Sequence, residues 1–416
     1  MSRGVTRRGL FVGAGALGLG AAAGCSAGGK SATESTTLGA TTATARSVPF
    51  YGQHQAGIAT PAQDRLAFAA FDVVATDRSD LVTLMQTWTA AAAAMTAGKQ
   101  VPGGATSPQA PPQDTGEAVG LPAASLTVTV GFGPGLFDKR FGLASRRPAA
   151  LAELPALPGD QLDPEKSGGD LCIQACANDP QVAFHAVRNL ARLGRGIVQM
   201  RWFQLGFGRT SSTSSSQETP RNLMGFKDGT RNIKGEDEGL MGSFVWVGSE
   251  TDQSWLQGGS YVVTRRIRML IESWDRDYLK DQENVFGRSK ISGAPLTGKT
   301  EFDAPDFGAQ DATGEPVIPT DSHVRLAAPE NNAGLRILRR GYSYTDGIDP
   351  VTGQLDAGLF FIAYQQDPHK QFVALQRRLG SKDSLNEYIL HTSSAVFACP
   401  PGVQNAQDYW GRTLLT

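Results

Sequence analysis

An apolar run, a short polar break and a helix-spaced pattern follow one another four times along the chain. "RLAFAAFDVVATDRSDLVTLMQTWTAAAAAM" opens with an apolar strand, breaks between Asp77 and Asp80, and continues with helical spacing. "DLCIQACANDPQVAFHAVRNLARL" has the same plan, with Asp179 placed to cap a helix and Pro180 at its first position, where a missing N–H costs nothing. "GLFFIAYQQDPHKQFVALQRRL" repeats it with Asp367 and Pro368, and "GSYVVTRRIRMLIESWDRDYLKDQENVFG" is a looser copy. Three strands lack a following helix: "SLTVTVGFG", alternating with period two, "GIVQMRWFQLGFG" and "NEYILHTSSAVFACP". Each half then reads β-α-β, β-α-β, over residues 60–208 and 258–400, which is the ferredoxin-like order used twice. The expected fold class is α+β, with antiparallel sheets in an N-terminal ferredoxin-like domain over 47–215 and a C-terminal one over 216–416. Segments 97–122 and 207–222, rich in Pro/Gly or Ser/Thr, read as long surface loops. Long loops on a doubled scaffold point to a site near the domain junction.

Residues 1–46 follow neither pattern. Arg7 and Arg8 precede "VGAGALGLGAAAG", an apolar run too short and glycine-rich for a membrane span. The paired arginines match a twin-arginine export signal, a route that carries folded proteins with their cofactors; an ordinary secretory signal is the alternative. Cys25 follows "AAAG" as in a lipoprotein box, although Ala22 stands where leucine is usual. A lipid anchor at Cys25, with peripheral membrane association, therefore stays open. Residues 27–46 read as a flexible tether. The expected location is the cell envelope or the exterior.

Composition narrows the partners. With 39 basic and 40 acidic residues among 416, the net charge is −1, and no field favours nucleic acid. Cys172 and Cys176 lie in an apolar strand, where four residues span ~13 Å, beyond disulfide reach. No further cysteine or histidine accompanies them to complete a zinc set. They and Cys399 read as core thiols.

Five histidines remain. His54 adjoins the tether, His369 falls on a helix's first turn, and His185 and His391 sit in apolar segments where a core role suits them. His323 differs, because its irregular stretch "PTDSHVRLAAPENNAGLRILRRGYSYTDG" also carries Arg325, Arg336, Arg339 and Arg340. Asp321 is close enough in sequence to orient the imidazole. A lone imidazole is poor for zinc but is what haem iron needs on one face, and arginines can pair with the propionates. No CxxCH is present, so such a haem would be held non-covalently. In "MGFKDGTRN", Asp228 stands between Gly225 and Gly229. A turn explains the motif. Near ferric haem, the same carboxylate could carry a proton between the two oxygens of peroxide, with an arginine stabilising the developing charge. The glycines would then let the backbone approach a flat macrocycle.

"GFKDG", then "DSHVRLAAP", then "LRRGYSY" resemble, in that order, the GxxDG motif, the haem-ligand histidine and the distal-arginine segment of the dye-decolourising peroxidases. The resemblance extends from residue 60 to the C-terminus, and "RRIRMLIESWDR" with the leader resembles the exported, deferrochelatase-like branch. It implies haem b between sheet and helices in the C-terminal domain, near the junction. It implies a proximal iron ligand in His323, an acid–base residue in Asp228, and in Arg339 a cation for both peroxide and a propionate. Gly229, Thr230 and Arg231 would line the haem edge, as would Ala328, Pro329 and Glu330, and Leu359 and Phe361 would wall the distal side. Gly341 stands where some branches carry an asparagine. The implied partners are hydrogen peroxide and a one-electron donor, bulky aromatic dyes reacting through surface Tyr or Trp. The implied alternatives are removal of iron from haem and a non-enzymatic haem carrier. The family leaves room for a homodimer.

Overall fold

Strand β1 (Arg65–Val73) leads into helix α1 (Arg78–Thr96), then come β2 (Thr127–Phe132), β3 (Leu171–Ala177), α2 (Pro180–Leu193) and β4 (Val198–Arg209). All seven residues of β3 are buried, so both faces are covered and the strand is apolar throughout instead of alternating. Helix α2 begins where the sequence places it, with Asp179 accepting from the backbone N–H groups of Gln181 and Val182 ahead of Pro180. These four strands lie side by side as β2-β3-β1-β4, all antiparallel. The computed structural model describes residues 46–103 and 107–416. The Arg7-Arg8 leader, the Cys25 box and nearly all of the tether lie outside the described residues.

The second half repeats the order: β5 (Ser260–Met269), α3 (Leu279–Phe286), α4 (His323–Ala327), β6 (Leu338–Arg339), β7 (Tyr342–Ile348), β8 (Leu355–Gln365), α5 (Ala374–Lys382) and β9 (Ile389–Cys399). Its strands run β9-β5-β8-β7, again antiparallel. Both halves therefore have the ferredoxin-like strand arrangement. The two sheets also join at their edges. β4 pairs with β7 at Phe207↔Ser343 and Arg209↔Tyr342, and β2 meets β9 at Phe132↔Ala398. Eight strands thus close on themselves like a barrel, which removes the exposed edges each sheet would otherwise present.

Two expectations change. The stretch around His323, expected to be irregular, contains α4, β6 and β7. A five-residue helix and an interrupted strand are too short to show a period, and β6 and β7 form because β8 and β4 offer partners. Segment 207–222 is not a surface loop throughout: β4 runs to Arg209, and Thr210, Ser211, Ser212, Thr213 and Ser214 are all buried. Their polar groups are satisfied inside, with Thr213 Oγ1 donating to Thr60 O and Lys234 donating to Ser212 O.

The pleat sorts side chains between two interiors. On β8, Phe360, Ile362 and Tyr364 point into the barrel and pack with Phe68, Trp202 and Tyr342. Leu359 and Phe361 point the other way, into a cavity on the outer face. Cys172, Cys176 and Cys399 are free thiols in the barrel core, and burial pushes all three thiols up, away from reactivity.

Candidate active site

The outer face of β5, β8 and β9 forms one wall of the cavity. Helices α4 and α5 and the segment from Asn222 to Ile233 form the others. Every lining residue falls between Asn222 and His391, so the cavity belongs to the second half. The first half supports it from behind, where Asp160 pairs with the lining residue Arg265.

His323 is the first residue of α4. Its Nδ1 lies 2.6 Å from Asp383 Oδ2, and its other ring nitrogen has no protein partner among the described residues. The side chain is about one-third open, and it lines the cavity. Asp321, the expected orienting group, instead accepts from Ser384 Oγ at 2.6 Å. Asp383 lies at the end of α5, where its second oxygen accepts from Leu385 N at 2.9 Å. One carboxylate thus caps a turn and fixes the ring. Burial opposes protonation of His323, but the adjacent Asp383 carboxylate outweighs it and raises the pKa above the ordinary value. A ring held this way presents Nε2 to the cavity as an electron-rich donor.

Asp228 Oδ1 lies 2.5 Å from Arg339 Nη1. Its other oxygen has only Asn222 Nδ2 at 3.4 Å, which leaves capacity to accept a proton. The carboxylate is not engaged with the backbone of its own turn, so the turn alone does not account for it. Arg339 is held from behind: its N–H donates to Asn232 Oδ1 at 2.8 Å, and Asn232 Nδ2 donates to its carbonyl at 2.8 Å. Asn232 closes the same "MGFKDGTRN" stretch, so one segment carries the acid and the clamp on its cation.

The flanking glycines meet needs of the protein's own backbone and packing. Gly225 and Gly229 have φ of +85° and +88°, and a Cβ at Gly229 would meet Ser211 Cα at 2.9 Å. Gly229, Thr230, Arg231, Ala328, Pro329, Leu359 and Phe361 all line the cavity. Thr230 spends its hydroxyl on Glu301, which also pairs with Lys227 at 2.5 Å. Glu330 is absent from the wall. It stands at the rim and takes Arg231 in a two-pronged ion pair of 2.5 and 3.0 Å. Sequence reasoning missed Asp383 and Asn232, which look like ordinary loop residues until their partners reveal them. Arg336, one of the arginines in the His323 stretch, lines the cavity.

His391 also lines the cavity, at 4% exposure, with Nε2 3.2 Å from Gln376 Nε2 and Nδ1 unpartnered. Burial, then the nearby Arg265 cation, lowers its pKa to about 3, so it stays neutral. His185 pairs with Asp114 at 2.9 Å, far from the cavity wall.

This donor set fits haem. One imidazole nitrogen is free for iron, Leu359, Phe361, Leu375 and Leu379 supply apolar walls, and Arg231, Arg336 and Arg339 offer cations for two carboxylates. Comparison with known proteins agrees. The N-terminal Dyp-type peroxidase family model matches residues 55–208, and the C-terminal one matches residues 219–404. A deferrochelatase from Escherichia coli (strain K12) is 42% identical over 373 residues, covering 88% of this chain and 87% of that protein. Ferric DtpA from Streptomyces lividans is 39% identical with a TM-score of 0.83, over 92% of this chain and 100% of that one. A DyP-type peroxidase from Cellulomonas bogoriensis is 39% identical with a TM-score of 0.80, over 90% and 99%. The chain belongs to the Dyp-type peroxidase family, as a haem-dependent enzyme.

Proposed function

We propose that this peroxidase divides its work among His323, Asp228 and Arg339, with haem b held non-covalently in the cavity. The observation that carries this reading is the 2.5 Å Asp228–Arg339 contact in the same cavity as an imidazole whose Nδ1 is already engaged. Bound haem supplies an iron at which the O–O bond of peroxide is cleaved and the oxidising equivalents are stored. His323 Nε2 would hold that iron, with Asp383 fixing the ring. Asp228 would take a proton from the near oxygen of peroxide and return it to the departing one, which then leaves as water. Arg339 would stabilise the negative charge that develops meanwhile. The apolar wall of Leu359 and Phe361 would limit water around these groups, which strengthens both effects. Arg231, Arg336 and Arg339 would receive the propionates.

The reducing partner in this reading is a bulky aromatic dye or similar one-electron donor. The twin arginines Arg7 and Arg8 support export to the envelope or exterior.

The test is stopped-flow absorption of the purified protein mixed with peroxide. His323→Ala should lose or misplace haem, seen as a lost or shifted Soret band. Asp228→Asn and Arg339→Leu should keep haem yet react with peroxide about 100-fold more slowly or worse. Wild-type rates in both variants would refute the assignment.

A second reading, release of iron from haem with the porphyrin intact, draws on the name of the 42% identical relatives. Mass spectrometry of the tetrapyrrole after turnover separates the two, since free protoporphyrin supports iron release and intact haem supports peroxidation alone.

A further inference from the structure

Asn222 meets Asp228 across a short hairpin. Residues 220–228 double back on themselves, with Asp228 N–H donating to Pro220 O at 2.9 Å and Asn222 N–H donating to Phe226 O at 3.0 Å. Between these bonds, Arg221 and Lys227 face each other as an antiparallel bridge. The hairpin is also fastened from outside. The Arg221 guanidinium donates to Gly225 O at 2.7 Å, Lys290 O at 2.6 Å and Ile291 O at 2.7 Å, and the Trp274 indole N–H donates to Met224 O at 3.1 Å. Positions 222 and 228 are therefore fixed relative to one another.

Asn222 is 8% exposed and lines the cavity. Its Oδ1 accepts from Met224 N at 3.1 Å and from Phe226 N at 3.3 Å. Those two donors fix which way round the amide lies, because turning it over would set NH2 against two N–H groups. Nδ2 therefore faces Asp228 Oδ2, at 3.4 Å, while Arg339 occupies the other carboxylate oxygen. One side chain does two separate things: its oxygen caps the hairpin and its nitrogen faces the acid. The two donors to Asp228 also differ in kind. Arg339 brings a charge, whereas Asn222 brings an N–H alone. An amide NH2 donates but cannot accept, so it bonds to Oδ2 in a carboxylate and has nothing to offer once that oxygen carries a proton. Such a donor favours the ionised form over the acid. A carboxylate held at both oxygens also cannot rotate about its Cβ–Cγ bond.

We propose that Asn222 is a positioning residue for the reaction with peroxide and acts through Asp228. Its amide holds the plane of the carboxylate and favours return of the proton that Oδ2 receives. The proposal rests on the peroxidase reading above. When Oδ2 takes a proton from the near oxygen of peroxide, the amide loses its hydrogen bond. When that proton passes to the departing oxygen, the bond reforms. The second transfer is therefore favoured by a bond that the first one breaks. Asn222 itself makes no bond to peroxide or iron in this scheme.

The test is a double-mutant cycle on the holoenzyme, read by stopped-flow absorption with hydrogen peroxide at pH 7. Asn222→Ser keeps an oxygen able to cap the turn but is too short to reach Asp228. It should slow the Soret change about tenfold when Asp228 is present, and by no more than about twofold in Asp228→Asn, where the acid it serves is gone. Binding of carbon monoxide to the ferrous form, which moves no proton, should stay within about twofold of the wild type. Asn222→Asp keeps the shape and the capping oxygen yet sets a second acceptor against Asp228, so it should slow the reaction with peroxide at least as much. Equal slowing by Asn222→Ser in both backgrounds, or a matching loss in carbon monoxide binding, would mean that Asn222 only shapes the hairpin and would overturn the proposal. A wild-type rate in Asn222→Ser or Asn222→Asp, with Asp228→Asn slow, would overturn this proposal alone. A wild-type rate in Asp228→Asn would overturn the role given to Asp228 and this proposal with it.

Discussion

His391→Gln is expected to make the folded protein less sensitive to mild acid. The ring is 4% exposed on β9, and its pKa is lowered from 6.5 to about 3, first by burial and then by Arg265. An unfolded chain takes up this proton near pH 6.5, whereas the folded chain refuses it until about pH 3. Between those values the unfolded state binds more protons, so stability falls as pH falls through the window. The whole shift corresponds to roughly 5 kcal/mol, of which about 2 kcal/mol is lost between pH 7 and pH 5. Carboxylates stay largely ionised over that interval, so the imidazole dominates the difference. Glutamine removes the titration and can still hydrogen-bond Gln376. The assay is urea unfolding of wild-type and variant holoenzyme at pH 7, 6 and 5. The wild type should lose about 2 kcal/mol more than the variant on going from pH 7 to pH 5. Parallel curves would refute the argument, since they would mean that the folded protein does not hold His391 neutral.

Asp383→Asn keeps the cap on Leu385 N but removes the charge facing His323 Nδ1, so the Fe–His stretch should shift down and the iron reduction potential up. Resonance Raman and potentiometry would show it, and unchanged values would count against Asp383 as the orienting group. Asn232→Ala removes both bonds to the Arg339 backbone and leaves buried polar groups unpaired. It should cost about 1–3 kcal/mol in urea unfolding and slow the reaction with peroxide. Gly229→Ala forces a side chain into a φ of +88° and against Ser211, so it should destabilise by at least about 1 kcal/mol and slow peroxide cleavage by moving Asp228. At the rim, the Arg231 hydrogen bond holds the Glu330 carboxyl below its usual range. Its contribution is therefore present above the ordinary carboxylate pKa and lost as pH falls through the lowered value. Glu330→Gln should speed haem transfer to apo-myoglobin at pH 7 by no more than about threefold, because the pair is exposed, and the two proteins should converge in acid.

Much of the scaffold was legible in the chain. β3 reads as a buried strand because both its faces are covered, and Asp179-Pro180 marks the start of α2 because the cap chemistry is local. His323, Asp228 and Arg339 stood out through their motifs, and all three line one cavity. Other features were misread for a common reason. Asp321 looked like the partner of His323 because it is two residues away, but the partner is Asp383, sixty residues on. The Ser/Thr-rich segment after β4 looked solvated, yet it is buried because distant groups satisfy its hydroxyls.

Sequence by itself determined what is periodic or local: the repeated strand-and-helix plan, the helix starts, the thiols of the core, and the residue types able to bind iron and move a proton. Tertiary structure decided which of those groups meet. Asp228 and Arg339 are 111 residues apart, and their contact depends on the β6–β8 register and on the Asn232 clamp. The alternation of β8 decides that Leu359 and Phe361 face the cavity while Phe360 and Ile362 face the barrel. Strand pairing sets that choice, since a shift of one residue would exchange the two faces.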